Sequence, residues 1–324
     1  KKVGNAAARA LRSEIEARLK RLEADPDEHF ALVPNGNDAD GPDGTGGWPF
    51  LIAWRGWAVA RLKAGEELLR PAAEPLFSQL LETPDRDRVR RRLRAWLDGH
   101  VGGVFATLSA ALKADLAAPA RGIVYRLSEN LGSIGRAQVE AQIESLGRAG
   151  RKSLRPFGIR IGRHLVFMPE LLKPRAIALR GLLWALRNGF DNLPPPPPPG
   201  RVSLCVAEDA LQGFYQAMGY VPFGRLAVRA DIAERLASVA WALARKGPFP
   251  ATPELLSLAG CGTEEMTAIL AGLGYRGQKN KAGELRFRHA LKPRAKVKKE
   301  ARKKPVKVDR DTPFAKLQDL AVGR

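Results

Sequence analysis

Residues 158–186 read GIRIGRHLVFMPELLKPRAIALRGLLWAL, and what this stretch becomes decides how the rest of the chain packs. Its first half sets Ile159, Ile161, Leu165, Val166 and Phe167 around Gly162 and Arg163. Branched and aromatic residues partly alternating with polar ones predict β-structure. The second half predicts a buried helix. Pro174 suits a first turn, where no backbone donor is needed, and Ile177, Leu179, Leu182, Leu183, Trp184 and Leu186 leave Arg175 and Arg180 facing out. A strand joined to so apolar a helix is a core, with Phe167, Pro174 and Trp184 as structural residues. The pattern marks packing, not catalysis.

Working outward, the 324 residues carry 45% hydrophobic side chains, enough for a sizeable core and for two or three small domains. The 54 Lys and Arg against 34 Asp and Glu leave a net charge of +20. That excess points to a polyanion. Nucleic acid is the first choice, because neutralising phosphates and releasing counterions gives affinity without sequence preference; RNA is expected, with DNA as the alternative. An anionic membrane surface is the rival partner and is not favoured. No run of about eighteen apolar residues occurs, so no transmembrane helix is expected, nor is a signal peptide. Two cysteines, Cys205 and Cys261, build neither a disulfide framework nor a zinc site and fit a reducing cytoplasm.

The expected fold is mainly α with small β-hairpins, an α+β helical accessory domain followed by a winged-helix-like domain and a disordered basic tail. Residues 1–24 read as a linker helix with Leu11, Ile15, Leu19 and Leu22 on one stripe, and a chain opening inside a helix suggests a piece of a longer protein. Residues 25–47, rich in Asp, Gly, Asn and Pro, read as a mobile loop whose acidic residues match no calcium-loop spacing. Residues 48–191 form the helical domain, entered through a β-hairpin that turns near Arg55-Gly56-Trp57. Its tryptophans are core anchors or base-stacking platforms. Pro194 to Pro199, within residues 192–200, predict a stiff polyproline linker between domains. In residues 201–291 a helix capped by Thr252, a Gly260-Cys261-Gly262 turn, a second helix capped by Thr263 and a hairpin around Lys279 to Gly283 resemble a winged helix. Residues 292–324 are the basic tail, closing on the amphipathic residues Phe314, Leu317, Leu320 and Val322.

Three groups of cations are the candidate nucleic-acid contacts. The first is Arg86, Arg88, Arg90, Arg91, Arg92 and Arg94, six arginines against two aspartates on one helix, too many to pair locally. The alternative is a solvated face. The second is the hairpin, where Lys279 and Lys281 sit at the tip and Arg286 and Arg288 alternate with Leu285 and Phe287. The second helix offers Glu264, Glu265 and Thr267 where a base-reading helix offers Arg, Asn or Gln, so readout of bases there is not expected. The third is the tail, with Lys296, Lys298, Lys299, Arg302, Lys303 and Lys304. No catalytic or metal-binding constellation emerges. His29, His100, His164 and His289 are scattered, and His164, taken as part of the central strand, reads as a satisfied core histidine.

The central stretch, with Leu146 to Phe157, resembles the post-motor region of alphaproteobacterial DExH-type helicases related to the RNA helicase of the mitochondrial degradosome. The resemblance rests on Gly158, Arg160 and Gly162, on Leu171 to Pro174, and on the Leu183 to Leu186 helix. It is joined by Trp54-Arg55-Gly56 with Val59 to Leu62, by Arg94 to Leu97, and by Thr312 to Leu317. It implies an accessory C-terminal region of an ATP-dependent helicase, with ATP and magnesium as cofactors of the parent. Neither a G-x-x-x-x-G-K-[ST] loop nor an Asp-Glu-x-His element occurs here, so this chain is expected to hold no ATP and perform no catalysis alone. The motor domains are then a partner, together with RNA. The alternative function is a protein-interaction scaffold recruiting a nuclease or a ribosomal protein.

Overall fold

The computed structural model describes residues 2–34, 48–76, 81–190, 193–207, 211–280 and 283–290, with side chains from residue 10 onward. Two units separate by contact, residues 1–288 and 289–324. The basic tail, Lys281, and the tail residues Lys296 to Lys304 and Phe314 to Val322 fall outside the described residues. The chain is mixed α+β, with helices around small antiparallel sheets.

Helix α1 (Lys2–Ala24) leads through a 3-10 turn at Asp27–His29 into a four-stranded sheet of β1 (Phe30–Val33), β2 (Leu51–Trp54), β3 (Trp57–Lys63) and β4 (Ala72–Pro75). The hairpin expected near Arg55 is there. Arg55 (φ 51°) and Gly56 (φ 84°) both adopt left-handed backbone, the two-residue turn whose twist matches antiparallel strands. The loop expected over residues 25–47 is corrected at its start. Phe30 to Val33 pairs in register with Leu51 to Trp54 because its apolar side chains find a sheet to join, and only 35–47 lie outside the described residues. The linker helix is likewise more than a linker, since Leu19 and Leu22 are buried in the main core.

Helices α2 (Thr83–Val104), α3 (Ala106–Lys113), α4 (Ala118–Glu129), α5 (Glu140–Ser145) and α6 (Gly147–Leu154) follow, with β5 (Ser133–Gly135) between α4 and α5. The central stretch then supplies β6 (Arg160–Ile161), β7 (Leu165–Phe167) and α7 (Pro174–Asn188). Gly162, Arg163 and His164 form the turn between two short strands, so the expected single strand is a hairpin and His164 sits at its bend. β7 is the middle strand of a β5-β7-β6 sheet. Its two-residue period divides the molecule: Val166 packs into one hydrophobic core while Leu165 and Phe167 pack into the other.

The chain continues with β8 (Ser203–Cys205), the short α8 (Phe214–Ala217), β9 (Tyr220–Phe223), β10 (Leu226–Arg229), α9 (Ala230–Ala244), α10 (Pro253–Ala259), α11 (Thr263–Gly272), β11 (Tyr275–Lys279) and β12 (Leu285–His289). Thr252 caps α10 through its hydroxyl on the Leu255 amide at 3.4 Å, whereas Gly262, not Thr263, precedes α11. The polyproline run does not divide two cores. Trp48 Nε1 donates to Pro194 O at 2.7 Å, and Phe214, Met218 and Tyr220 from beyond the prolines join the first core. An extended segment without hydrogen bonds of its own lies on a packed surface as readily as it bridges two bodies.

Two assignments in the central helix also change. Arg180, expected outside, is completely buried. It donates to Ala217 O at 2.6 Å, Leu171 O at 3.0 Å and the Ser133 hydroxyl, so main-chain acceptors replace water around its fork of donors. No carboxylate is among these partners, and burial pushes its pKa down to about 9. Pro174, expected in the core, keeps its first-turn position but is exposed. Phe167 is buried as expected, and Trp184 is half-buried, stacked on Phe190 with ring centroids 5.5 Å apart. Among the described residues no helix is long and apolar enough to cross a membrane.

Candidate nucleic-acid interface

The six arginines of α2 divide by burial. Val89, Leu93, Trp96 and Leu97 turn one stripe of the helix inward, and arginines flanking that stripe meet the neighbouring elements. Arg88 binds Glu23 through Nε and Nη2 at 3.0 and 2.7 Å and Glu16 through Nη1 at 3.0 Å. These hydrogen bonds hold the Arg88 pKa above its ordinary value and that of Glu23 below its own. Arg92 reaches Asp27 and the Asp25 carbonyl, both at 2.8 Å, with its guanidinium 4.4 Å from the Phe30 ring centre. Arg88 and Arg92 are therefore paired, though chiefly with carboxylates distant in sequence, from α1 and from the turn before β1.

Arg90 and Arg94 remain outside, with loose pairs to Asp87 at 3.8 Å and Asp98 at 3.9 Å. Exposed pairs of this length contribute little. They overlook a cleft that also holds Glu66, Glu67 and Glu74, a mixed-charge wall poorly suited to phosphate. Arg91 is exposed, and Arg86 is half-buried with its Nε unpartnered.

The β11–β12 hairpin forms where expected, although Leu285, on the face of Phe287, is exposed. Phe287 is buried, so the two-residue period carries Arg286 and Arg288 to the other face. There they line a shallow pocket of about 270 Å³ with Gln278 and Lys279. Arg286 has one exposed pair, to Glu284 at 3.3 Å. On α11, Glu264 and Thr263 are exposed while Met266, Ile269 and Leu270 are buried, which leaves that helix without a cationic face.

Trp57, at the end of the β2–β3 turn, is 80% exposed, and it is held out by a rigid base. Asp25 accepts from Trp54 Nε1 at 2.8 Å and, side-on, from Nε and Nη2 of the Arg55 guanidinium. That pairing, with help from the Trp54 donor, keeps the Asp25 carboxyl far below the usual carboxylate range. The histidines carry no catalytic arrangement. His164 and His100 are both half-buried and their pKa values are lowered by burial, for His100 with a further push from Arg175. Among the described residues no group of three or more His, Cys, Asp or Glu side chains is placed to hold a metal ion.

One basic surface escaped the sequence reading. Arg148, Arg151, Lys152 and Arg155 stand at positions i, i+3, i+4 and i+7, on one face of α6 and the turn after it, and all four are exposed. The signal was helical spacing of cations without intervening acids, hidden because the segment was taken only as part of the family resemblance. No family model, curated protein or solved structure matches this chain.

Proposed function

We propose that this chain is the accessory, post-motor part of an ATP-dependent DExH-type RNA helicase of the cytoplasm. It holds RNA through sequence-independent phosphate contacts and guides it to or from the motor domains, which carry the ATP and magnesium. The observation that supports this best is the excess of 54 basic over 34 acidic residues, together with Arg286, Arg288 and Lys279 aimed away from the core on one hairpin. We read α9, α10, α11 and the hairpin as a winged helix, since Phe249 and Phe287 exchange main-chain hydrogen bonds at 3.0 and 2.7 Å, an isolated bridge that ties the wing to the segment between α9 and α10. In this reading the wing meets phosphates and α11 does not read bases.

The test is a titration of labelled single-stranded RNA of several sequences against increasing salt. Sequence-tolerant binding that weakens steeply supports the reading, and affinity unchanged between about 50 and about 200 mM salt refutes it. Trp57 and the cation-free face of α11 favour a second reading, a scaffold that recruits a nuclease or ribosomal protein. Partners that stay bound after nuclease treatment would select it.

A further inference from the structure

A cleft with a volume of about 740 Å³ lies between α6 and α9. Arg151, Arg155, Arg160 and Arg235 line it around an apolar floor of Ile159, Ile161, Phe167 and Val239. All four arginines are exposed, and none forms an ion pair with a described residue. The hydrogen bond recorded for them is a long one, from Arg151 to Ile143 O at 3.4 Å.

Two carboxylates share the cleft, and both are committed elsewhere. Asp231 is neutralised by Arg229, with bonds of 2.7 and 3.0 Å. Glu234, buried on α9, accepts the main-chain N–H groups of Arg163 at 2.8 Å, His164 at 2.6 Å and Leu165. Three successive amides thus close on one carboxylate, tying the β6–β7 turn to α9. The approach is so close that a Cβ at Gly162 would lie 2.2 Å from the Glu234 carboxyl carbon, which requires glycine there. The walls are fixed before any ligand arrives. At the Arg163 edge of that turn the guanidinium sits 3.8 Å from the Trp241 ring centre, and Arg245 lies 4.9 Å from the same ring.

We propose that this cleft is a binding site for the phosphodiester backbone of a single nucleic-acid strand. Its four arginines would take successive phosphates, and its apolar floor the sugars and bases. The assignment rests on the RNA-binding reading and deepens it by naming a site other than the hairpin or the tail. A concave, preformed groove with cations at its rim and apolar side chains below is the arrangement that follows a strand. A flat lipid surface would instead need the cations on a convex face.

The experiment uses the full chain and a labelled uridine oligomer of about 20 nucleotides. Four proteins are compared: wild type, R151Q/R155Q/R160Q/R235Q, the same four positions changed to Lys, and R286Q/R288Q. Thermal unfolding checks that each is folded. The Gln variant is expected to bind about tenfold or more weakly near 100 mM salt, with its log K against log salt slope reduced by roughly 3, since each single-strand phosphate contact accounts for about 0.7. The Lys variant is expected to recover most of that slope, which a merely structural role for these arginines would not allow. Wild-type binding by the Gln variant, with loss confined to R286Q/R288Q, overturns the cleft and leaves the RNA reading standing. A wild type that binds no RNA overturns both. Displacement of the oligomer by equimolar tripolyphosphate would overturn the extended-strand assignment in favour of a small phosphorylated ligand.

Discussion

Replacing Glu234 by alanine removes the single acceptor for three amides. Each hydrogen bond to a charged group contributes about 1.5–3 kcal/mol, and a buried donor left without a partner costs about 1–3 kcal/mol. The Leu165 amide is buried and has no route to water, while Arg163 lies at the exposed edge of the turn and regains solvent. The loss is therefore expected at about 3–5 kcal/mol, the range for breaking a buried charged pair. Glu234→Gln is milder. Its amide oxygen still accepts from His164 and Leu165, but its NH2 faces the Arg163 N–H donor, so about 1–3 kcal/mol is expected. Denaturant unfolding followed by circular dichroism measures both, with Tm as a second readout; at roughly 2–4 °C per kcal/mol the alanine variant melts about 6–20 °C lower. A loss below about 1 kcal/mol for Glu234→Ala would refute the claim that this carboxylate fixes the cleft.

Other perturbations follow from the same contacts. Arg180→Ala strips the donors from Ala217 O, Leu171 O and the Ser133 hydroxyl and should cost about 3–5 kcal/mol in the same denaturant assay, with a neutral outcome contradicting a fully hydrogen-bonded fork. Asp25 has a folded pKa far below its unfolded value near 4, so its contribution is complete above that pH and is lost as pH falls through the folded value. Asp25→Asn is expected to lower Tm at neutral pH and to flatten the acid limb below about pH 4; an unchanged acid limb would contradict the pairing. Arg88→Ala is expected to lower Tm while leaving RNA affinity nearly unaltered, because its guanidinium is occupied by Glu16 and Glu23. A large affinity loss without a change in Tm would return that arginine to the interface.

What local pattern determines was legible before any coordinates. The Arg55-Gly56 turn, the buried stripe of α2, the Thr252 cap and the outward Arg286 and Arg288 all depend on neighbours a few residues away. The β-structure of Leu165 to Phe167 was legible too, though not that its two faces belong to different cores. Partners distant in sequence were not. Arg180 is buried because the chain returns 37 residues later with the Ala217 carbonyl, and Arg88 and Arg92 find their acids 65 residues away in α1 and at Asp27. Phe30 to Val33 was masked by the acidic, glycine-rich residues after it, and became a strand through pairing with β2. The prolines at 194–199 carry the same local conformation on a packed surface as in a linker, so composition could not place the boundary. The cleft joins Arg235 to arginines about 80 positions earlier, and half of it, the helical spacing of Arg148 to Arg155, was readable in principle.

The account's central claim is that the folded unit grips RNA by phosphate contacts and does not leave this to the tail. Fluorescence anisotropy of labelled single-stranded RNA, with DNA of matched sequence, against the full chain and a version ending at Leu291, at about 50 and about 200 mM salt, tests it directly. The account predicts that the shortened protein retains RNA binding that falls by about a hundredfold or more between the two salts. Binding that vanishes with the tail, or that ignores salt, would contradict it.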